Sequence, residues 1–172
     1  MKKIISILAI ILFCGFNVNA QKIGYVDTDY ILNSIPEYKA AQTELDKLSV
    51  DWQKEIEAKY NEIDKLYKAY QADAILLTDD MKKKRENEII NKEKEVKELQ
   101  KQRFGVDGEL FKKRQELVKP LQDKIYSAVK AVAERSGLAI IIDKAGQVAI
   151  LYANTKYDKS DDVLTYLGYN KK

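Results

Sequence analysis

SIPEYKAAQTELDKLSVDWQKEIEAKYNEIDKLYKAYQADAILL, running from Ser34 to Leu77, is the stretch that decides the architecture. Ser34 followed three residues later by Glu37 reads as a capping box, with Pro36 in the first turn, where its missing N–H has no partner to lose. A helix is expected to begin there. From Tyr38 the apolar positions are Tyr38, Ala41, Leu45, Leu48, Trp52, Ile56, Tyr60, Ile63, Tyr67, Tyr70, Ala74 and Leu77. Steps of three and four alternate, except for the fours around Trp52, Ile56 and Tyr60, a stutter that locally unwinds a left-handed supercoil. After Pro36 neither Gly nor Pro interrupts the run. At 1.5 Å per residue, about 40 helical residues extend about 60 Å, so the stretch is expected to project as an arm.

Ile75, Leu76 and Leu77 end the periodic run, and Thr78-Asp79-Asp80 offers a new N-cap with acidic first-turn residues that suit the helix macrodipole. The tip of the arm is therefore expected near residues 75–80. Beyond it, Met81, Ile89, Val96, Leu99, Arg103, Val106, Leu110, Leu117, Leu121, Ile125, Val129 and Val132 carry a helical pattern to Ser136-Gly137, where Gly suits the C′ position. Charge matches the two legs. Residues 37–80 hold six basic and eleven acidic side chains, and residues 81–135 hold sixteen basic and ten acidic ones. Exposed ion pairs contribute only tenths of a kcal/mol each, so charge selects the partner and register while the apolar seam holds the legs together as an antiparallel hairpin.

The return leg has two weak points. Gly105 and Gly108 each cost about 1 kcal/mol of helix relative to Ala, and Pro120 removes a hydrogen bond and kinks the helix. They read as hinges, one within the arm and one where it meets a body, with tolerated irregularity as the plainer account.

The remainder looks like a small body. Lys22 to Val26 is β-branched and aromatic, Asp27-Thr28-Asp29 caps a brief helix, and Leu138 to Ile142 and Gln147 to Tyr152 are strand-like runs joined by Asp143-Lys144-Ala145-Gly146, a β-hairpin signal. Ser160-Asp161-Asp162 caps a short last helix. The body strands would contribute Ile23, Tyr25, Val26, Ile140, Ile141, Ile142, Val148, Ile150 and Leu151. Three short strands leave edges to be covered, so association through them is expected. The fold class is α+β: a long antiparallel helical hairpin, a coiled coil, projecting from a small β-strand body that associates through its strands. The expected division is a signal peptide over 1–20, a β/α body from 21–36 and 120–172, and the hairpin arm over 37–119.

Met1-Lys2-Lys3, the apolar run Ile4 to Phe13, and Val18-Asn19-Ala20 form the three parts of an export signal, with cleavage near Ala20. The lone cysteine, Cys14, falls inside it, and the chain has no histidine. Disulfides and thiol catalysis are excluded for the exported chain, and the commonest general base and metal ligand is missing. With no phosphate-cradling glycine loop either, the chain is not expected to be an enzyme or to use a cofactor or metal. A net charge of +3 gives no reason to expect nucleic acid as a partner.

IGYVDTDYILNSIPEYKAAQ from Ile23, FGVDGELFKKRQELVKPLQDKIYSAV from Phe104 and ILYANTKYDKSDDVLTYLG from Ile150 resemble the Skp/OmpH family of periplasmic chaperones over Ile23 to Gly168. The resemblance implies a homotrimer whose strands build a central body and whose three hairpins surround a cavity. It implies an ATP-independent holdase that keeps unfolded outer-membrane proteins soluble there, in the periplasm. Anionic membrane lipids are a further expected contact, at the periphery. The rival reading is a periplasmic coiled-coil adaptor or spacer docking on a folded envelope partner.

Holding an unfolded strand requires apolar area that stays accessible. Tyr60, Tyr67, Tyr70, Ile75, Leu76 and Leu77 are the candidates, since aromatics offer area with little entropy loss. Packing in the seam is the competing account for the three tyrosines. Lys82-Lys83-Lys84-Arg85, just past the tip, could steer acidic clients or phosphates, or could form a solvated face.

Overall fold

The structure is a computed structural model that describes residues 22–146 and 149–169. The expected export signal, its cleavage point near Ala20, and Val148 with its neighbour Gln147 lie outside the described residues. In chain order the elements are β1 (Lys22–Val26), α1 (Thr28–Ser34), α2 (Pro36–Asp73), α3 (Asp79–Phe104), α4 (Glu109–Ser136), β2 (Leu138–Asp143), a 3-10 turn (Thr155–Tyr157) and α5 (Ser160–Tyr166). They divide into two compact units, one spanning Asp29–Ser127 and the other the described parts of Met1–Thr28 and Ala128–Lys172.

In the first unit, α2 is 38 residues long, about 57 Å at the helical rise. It packs against α3 through Ile56 and Ile63 facing Ile89 and Val96, with Leu66, Tyr70 and Leu99 packed on that cluster. Near the turn between the helices Tyr70 meets Glu86, and at the far end of α3 Arg103 meets Glu55, so the two legs run antiparallel. Thr78 caps α3 by accepting from the Met81 N–H at 3.4 Å, followed by Asp79 and Asp80 in the first turn. The turn between the two helices lies between Asp73 and Asp79.

The start of α2 differs from the expected capping box. Ser34 ends α1, and its hydroxyl donates to the Tyr30 carbonyl at 2.7 Å. One residue, Ile35, separates α1 from α2; it is the N-cap, extended at φ −89°, ψ 119°, with Pro36 as the next residue. A residue before proline is kept out of the helical region, and Ile35 is buried. The steric rule at Ile35-Pro36 thus sets the boundary, and the Ser34 hydroxyl goes to the Tyr30 carbonyl instead of to the start of α2.

The second unit departs further from expectation. β2 pairs with β1, in parallel, with Ile23 opposite Ile140 and Tyr25 opposite Ile142. Among the described residues of the expected second strand, 149–152, none is in a strand, and β2 is not paired with them. Hydrogen bonds explain why the chain does not double back after β2. The Lys144 N–H continues the ladder to the Val26 carbonyl at 2.7 Å, while the Asp143 carboxylate accepts from the Thr28 N–H (3.1 Å), the Thr28 hydroxyl (2.7 Å) and the Ala145 N–H (3.0 Å). The turn residues are thereby tied to the end of β1. The other edge of β1 is taken by Asp158 and Lys159, with the Lys159 N–H on the Tyr25 carbonyl at 2.8 Å. Val26, Ala128, Val132, Val163 and Leu164 are buried in this unit. Gly137, at φ 62°, closes α4 in the left-handed conformation that favours glycine.

Candidate functional site

Most of the candidate residues lie on the α2–α3 hairpin, and its seam decides which of them remain accessible. Ile56, Ile63 and Tyr70 are spaced by seven, with Leu66 between the last two, the heptad phase of a left-handed pair. Leu66 therefore takes the seam position that a step of four from Ile63 assigns to Tyr67. Tyr60 and Tyr67 fall on the flank, 41% and 50% exposed. Tyr70 is half-buried against the cluster, and its hydroxyl donates to Glu86 Oε1 at 2.5 Å. That acceptor carboxylate is the main reason its phenol titrates above the ordinary tyrosine range. Of the three candidate tyrosines the hairpin uses one for itself and leaves two in water.

The tip is more open. α2 stops at Asp73, and in the turn that follows Ile75 and Leu76 are 95% and 85% exposed, with Leu77 half-buried. Burying such a side chain is worth about 1.5–3 kcal/mol, so the tip holds apolar area that its own unit does not use. Met81, on the first turn of α3, is half exposed beside it in sequence. Lys82 lies 4.0 Å from Asp79, and among the described residues no carboxylate pairs with Lys83, Lys84 or Arg85. Two exposed aliphatic residues are thus followed within ten positions by three uncompensated cations.

Where α3 gives way to α4, Gly105 and Gly108 sit in a true break between helices. A Cβ on Gly105 would lie 2.4 Å from the Lys101 carbonyl oxygen, and one on Gly108 would lie 2.9 Å from the carbonyl oxygens of Arg103 and Gln102. The chain turns back on itself here closely enough to require glycine at both places. Pro120 is different. α4 is a single helix from Glu109 to Ser136 with Pro120 inside it.

Arg103, which the sequence pattern lists at an apolar phase, is the centre of this joint. Its guanidinium carbon stands 4.7 Å from the Trp52 ring centroid, its Nη2 is 3.5 Å from Glu55 Oε2, and its Nη1 pairs with Glu109. Phe104 meets Trp52 edge-on at 6.2 Å. The signal for this cluster was available: a lone cation in the apolar phase of α3 has to find carboxylates or an aromatic face within the packed pair.

In the second unit, Tyr25 and Val26 are buried, Ile141, Ile142 and Ile150 are half-buried, and Ile23, Ile140, Leu151 and Tyr152 are exposed, Leu151 completely. Burial and the Asp158 carboxylate push the Tyr25 phenol above its ordinary range. Among the described residues no helix is long and apolar enough to cross a membrane, and no group of His, Cys, Asp and Glu could hold a metal ion.

A family model described as "Outer membrane protein (OmpH-like)" matches residues 22–167. The chain belongs to the OmpH-like family. An uncharacterized protein of Aquifex aeolicus (strain VF5) is 28% identical to this OmpH-like chain over 167 residues, covering 97% of it and 96% of the Aquifex protein. Among solved structures, an OmpH-like protein from Caulobacter crescentus CB15, described as a candidate outer-membrane chaperone, superposes with a TM-score of 0.69 at 15% identity, over 88% of this chain and 86% of that one. At that identity the likeness shows a shared OmpH-like fold.

Proposed function

We propose that the protein is an ATP-independent holdase of the periplasm that keeps unfolded outer-membrane proteins soluble within a cavity formed by the helical arms of a homotrimer. In this reading residues 37–119 are the arm, residues 21–36 and 120–172 are the body, and the chain binds clients without changing them chemically. The observation that carries the reading is the exposure of Ile75 and Leu76 at the tip, together with Tyr60 and Tyr67 on the flank, on a hairpin whose seam is filled by other residues. Such side chains offer apolar area without collapsing onto each other, because a rigid helix pair holds them apart. Family membership supports the same reading, as does the Caulobacter protein's description.

Lys82 to Arg85 would then steer acidic segments of a client, and peripherally anionic lipid headgroups, towards the tip. Ile23, Ile140 and Leu151, exposed at the sheet and in the chain that follows it, would be covered between subunits. Light scattering of the exported chain mixed with a urea-diluted outer-membrane barrel tests the proposal. A trimer that keeps the barrel from aggregating is expected. A monomer, or a trimer that leaves aggregation unchanged, would sink it.

A further inference from the structure

The joint between α3 and α4 contains two glycines, yet its surroundings hold it in one arrangement. Arg103 draws together three helices: Trp52 and Glu55 come from α2, Arg103 from α3 and Glu109 from the first turn of α4. Gln102 adds a second bond across the break, its amide donating to Glu109 Oε1 at 2.7 Å. Gly108 N–H on the Gly105 carbonyl (2.9 Å) and Lys112 N–H on the Gly108 carbonyl (3.0 Å) close the turn. The tight approach of both glycines to the Gln102 and Arg103 carbonyls or the Lys101 carbonyl leaves them no freedom while the turn is closed.

Ion pairs are the part of this closure that the solvent can change. The paired side chains retain contact with water, at 23% exposure for Arg103, 35% for Glu109 and 40% for Glu55, so their attraction is open to screening by salt. The Arg103 Nε is shielded from solvent and has no acceptor, which offsets part of what the other contacts contribute. The joint is therefore held by contacts that added ions can weaken, beside a seam of Ile and Val that they do not.

We propose that Arg103 is an ionic latch on the α3–α4 joint: seated between Trp52, Glu55 and Glu109 it fixes the two helices in one arrangement, and once released it lets Gly105 and Gly108 act as a hinge. The inference concerns the joint itself and stands whether or not the arm holds clients. Acid is a second way to open it. The charged groups facing Arg103 are Glu55 from α2 and Glu109 from α4, with Lys112 acting on Glu109. Hydrogen bonds from Gln102 and then Arg103 hold the Glu109 carboxyl below the usual carboxylate range. A depressed carboxyl contributes above its ordinary pKa and is lost as pH falls through the depressed value, so the latch opens in acid, below the ordinary carboxylate range.

Hydrogen exchange on the full chain reads the joint directly. Between low salt and about 1 M, where the Debye length falls to about 3 Å, the amides of Gly105, Gly108 and Lys112 are expected to exchange roughly tenfold faster, with those of Ile89 to Val96 unchanged. Trp52 is the sole tryptophan, so acrylamide quenching of its emission should rise over the same range and again in acid. Arg103→Gln should exchange fast already at low salt and lose the salt dependence. Joint amides that ignore salt in the unmodified chain, or an acceleration shared equally by the Ile89 to Val96 segment, would overturn the latch. The salt series on the unmodified chain decides alone if Arg103→Gln does not fold.

Discussion

The Tyr70 hydroxyl on α2 donates a 2.5 Å hydrogen bond to the Glu86 carboxylate on α3, and it does so at the edge of the Ile56, Ile63, Ile89 and Val96 cluster. This bond ties the last turns of α2 to the first turns of α3, just behind the tip. Its pKa consequence has a definite sign. A phenol raised above its ordinary value contributes while it is protonated and loses that contribution as pH rises through the raised value. Denaturant unfolding measured between neutral pH and pH 11 is expected to show a steeper alkaline loss for the unmodified chain than for Tyr70→Phe, which should be slightly less stable at neutral pH. Parallel curves would mean that the bond does not form in solution.

Seam register makes a sharper distinction between neighbours. Ile63→Ala removes a buried side chain from the cluster and should destabilise the hairpin by about 2–4 kcal/mol. Tyr67→Ala, four residues on, removes a half-exposed ring and should change stability by less than about 0.5 kcal/mol. Thermal or denaturant melts of the two variants check this. Equal losses would place Tyr67 in the seam.

At the tip the expected effect is on binding alone. Ile75→Ser with Leu76→Ser should leave the melting midpoint where it is, because both side chains are exposed, while weakening the retention of an unfolded outer-membrane barrel several-fold. Aggregation suppression measured beside a melt separates the two. Full retention by the double variant would move client contact away from the tip.

Charge reversal of Lys83 and Lys84 addresses steering. Both are exposed, and no described carboxylate pairs with them, so Lys83→Glu with Lys84→Glu should slow capture of an acidic client and flatten its dependence on ionic strength, with little change in dissociation. Stopped-flow association over a salt series is the measurement. An association rate equal to that of the unmodified chain would leave these lysines as a solvated face.

Local patterns in the sequence carried the hairpin well and the body poorly. The Thr78 cap, the legs of opposite charge and the Gly137 stop are all properties of residues near each other in the chain, and the structure has each of them. Leu66 and Tyr67 are one residue apart, and a helical period of 3.6 cannot choose between them; only the seven-residue spacing of the packed pair does. Ser34 lost its capping role because Ile35-Pro36 restricts the backbone more strongly than a hydroxyl attracts an N–H. The strand-like run after Gly146 reads as half of a hairpin because tight turns favour neighbours, whereas β2 finds its partner more than a hundred residues upstream. Arg103 was visible as a cation in an apolar phase, but its partners come from two other helices and no local pattern unites them.

The pairing of β1 with β2 also sets an order of events. Residues 22–26 leave the ribosome, and any channel threaded from the N-terminus, long before residues 138–143, so β1 must wait unpaired while the chain between them follows. The α2–α3 hairpin needs only near neighbours and a five-residue turn, and contacts of that kind form fastest. The sheet is then the last thing to close, and drawing its ends together is easier once a preformed hairpin has shortened the effective loop. Removing whole heptads from the α2–α3 pair should therefore speed closure of the sheet only slightly, whereas melting that pair should delay it strongly.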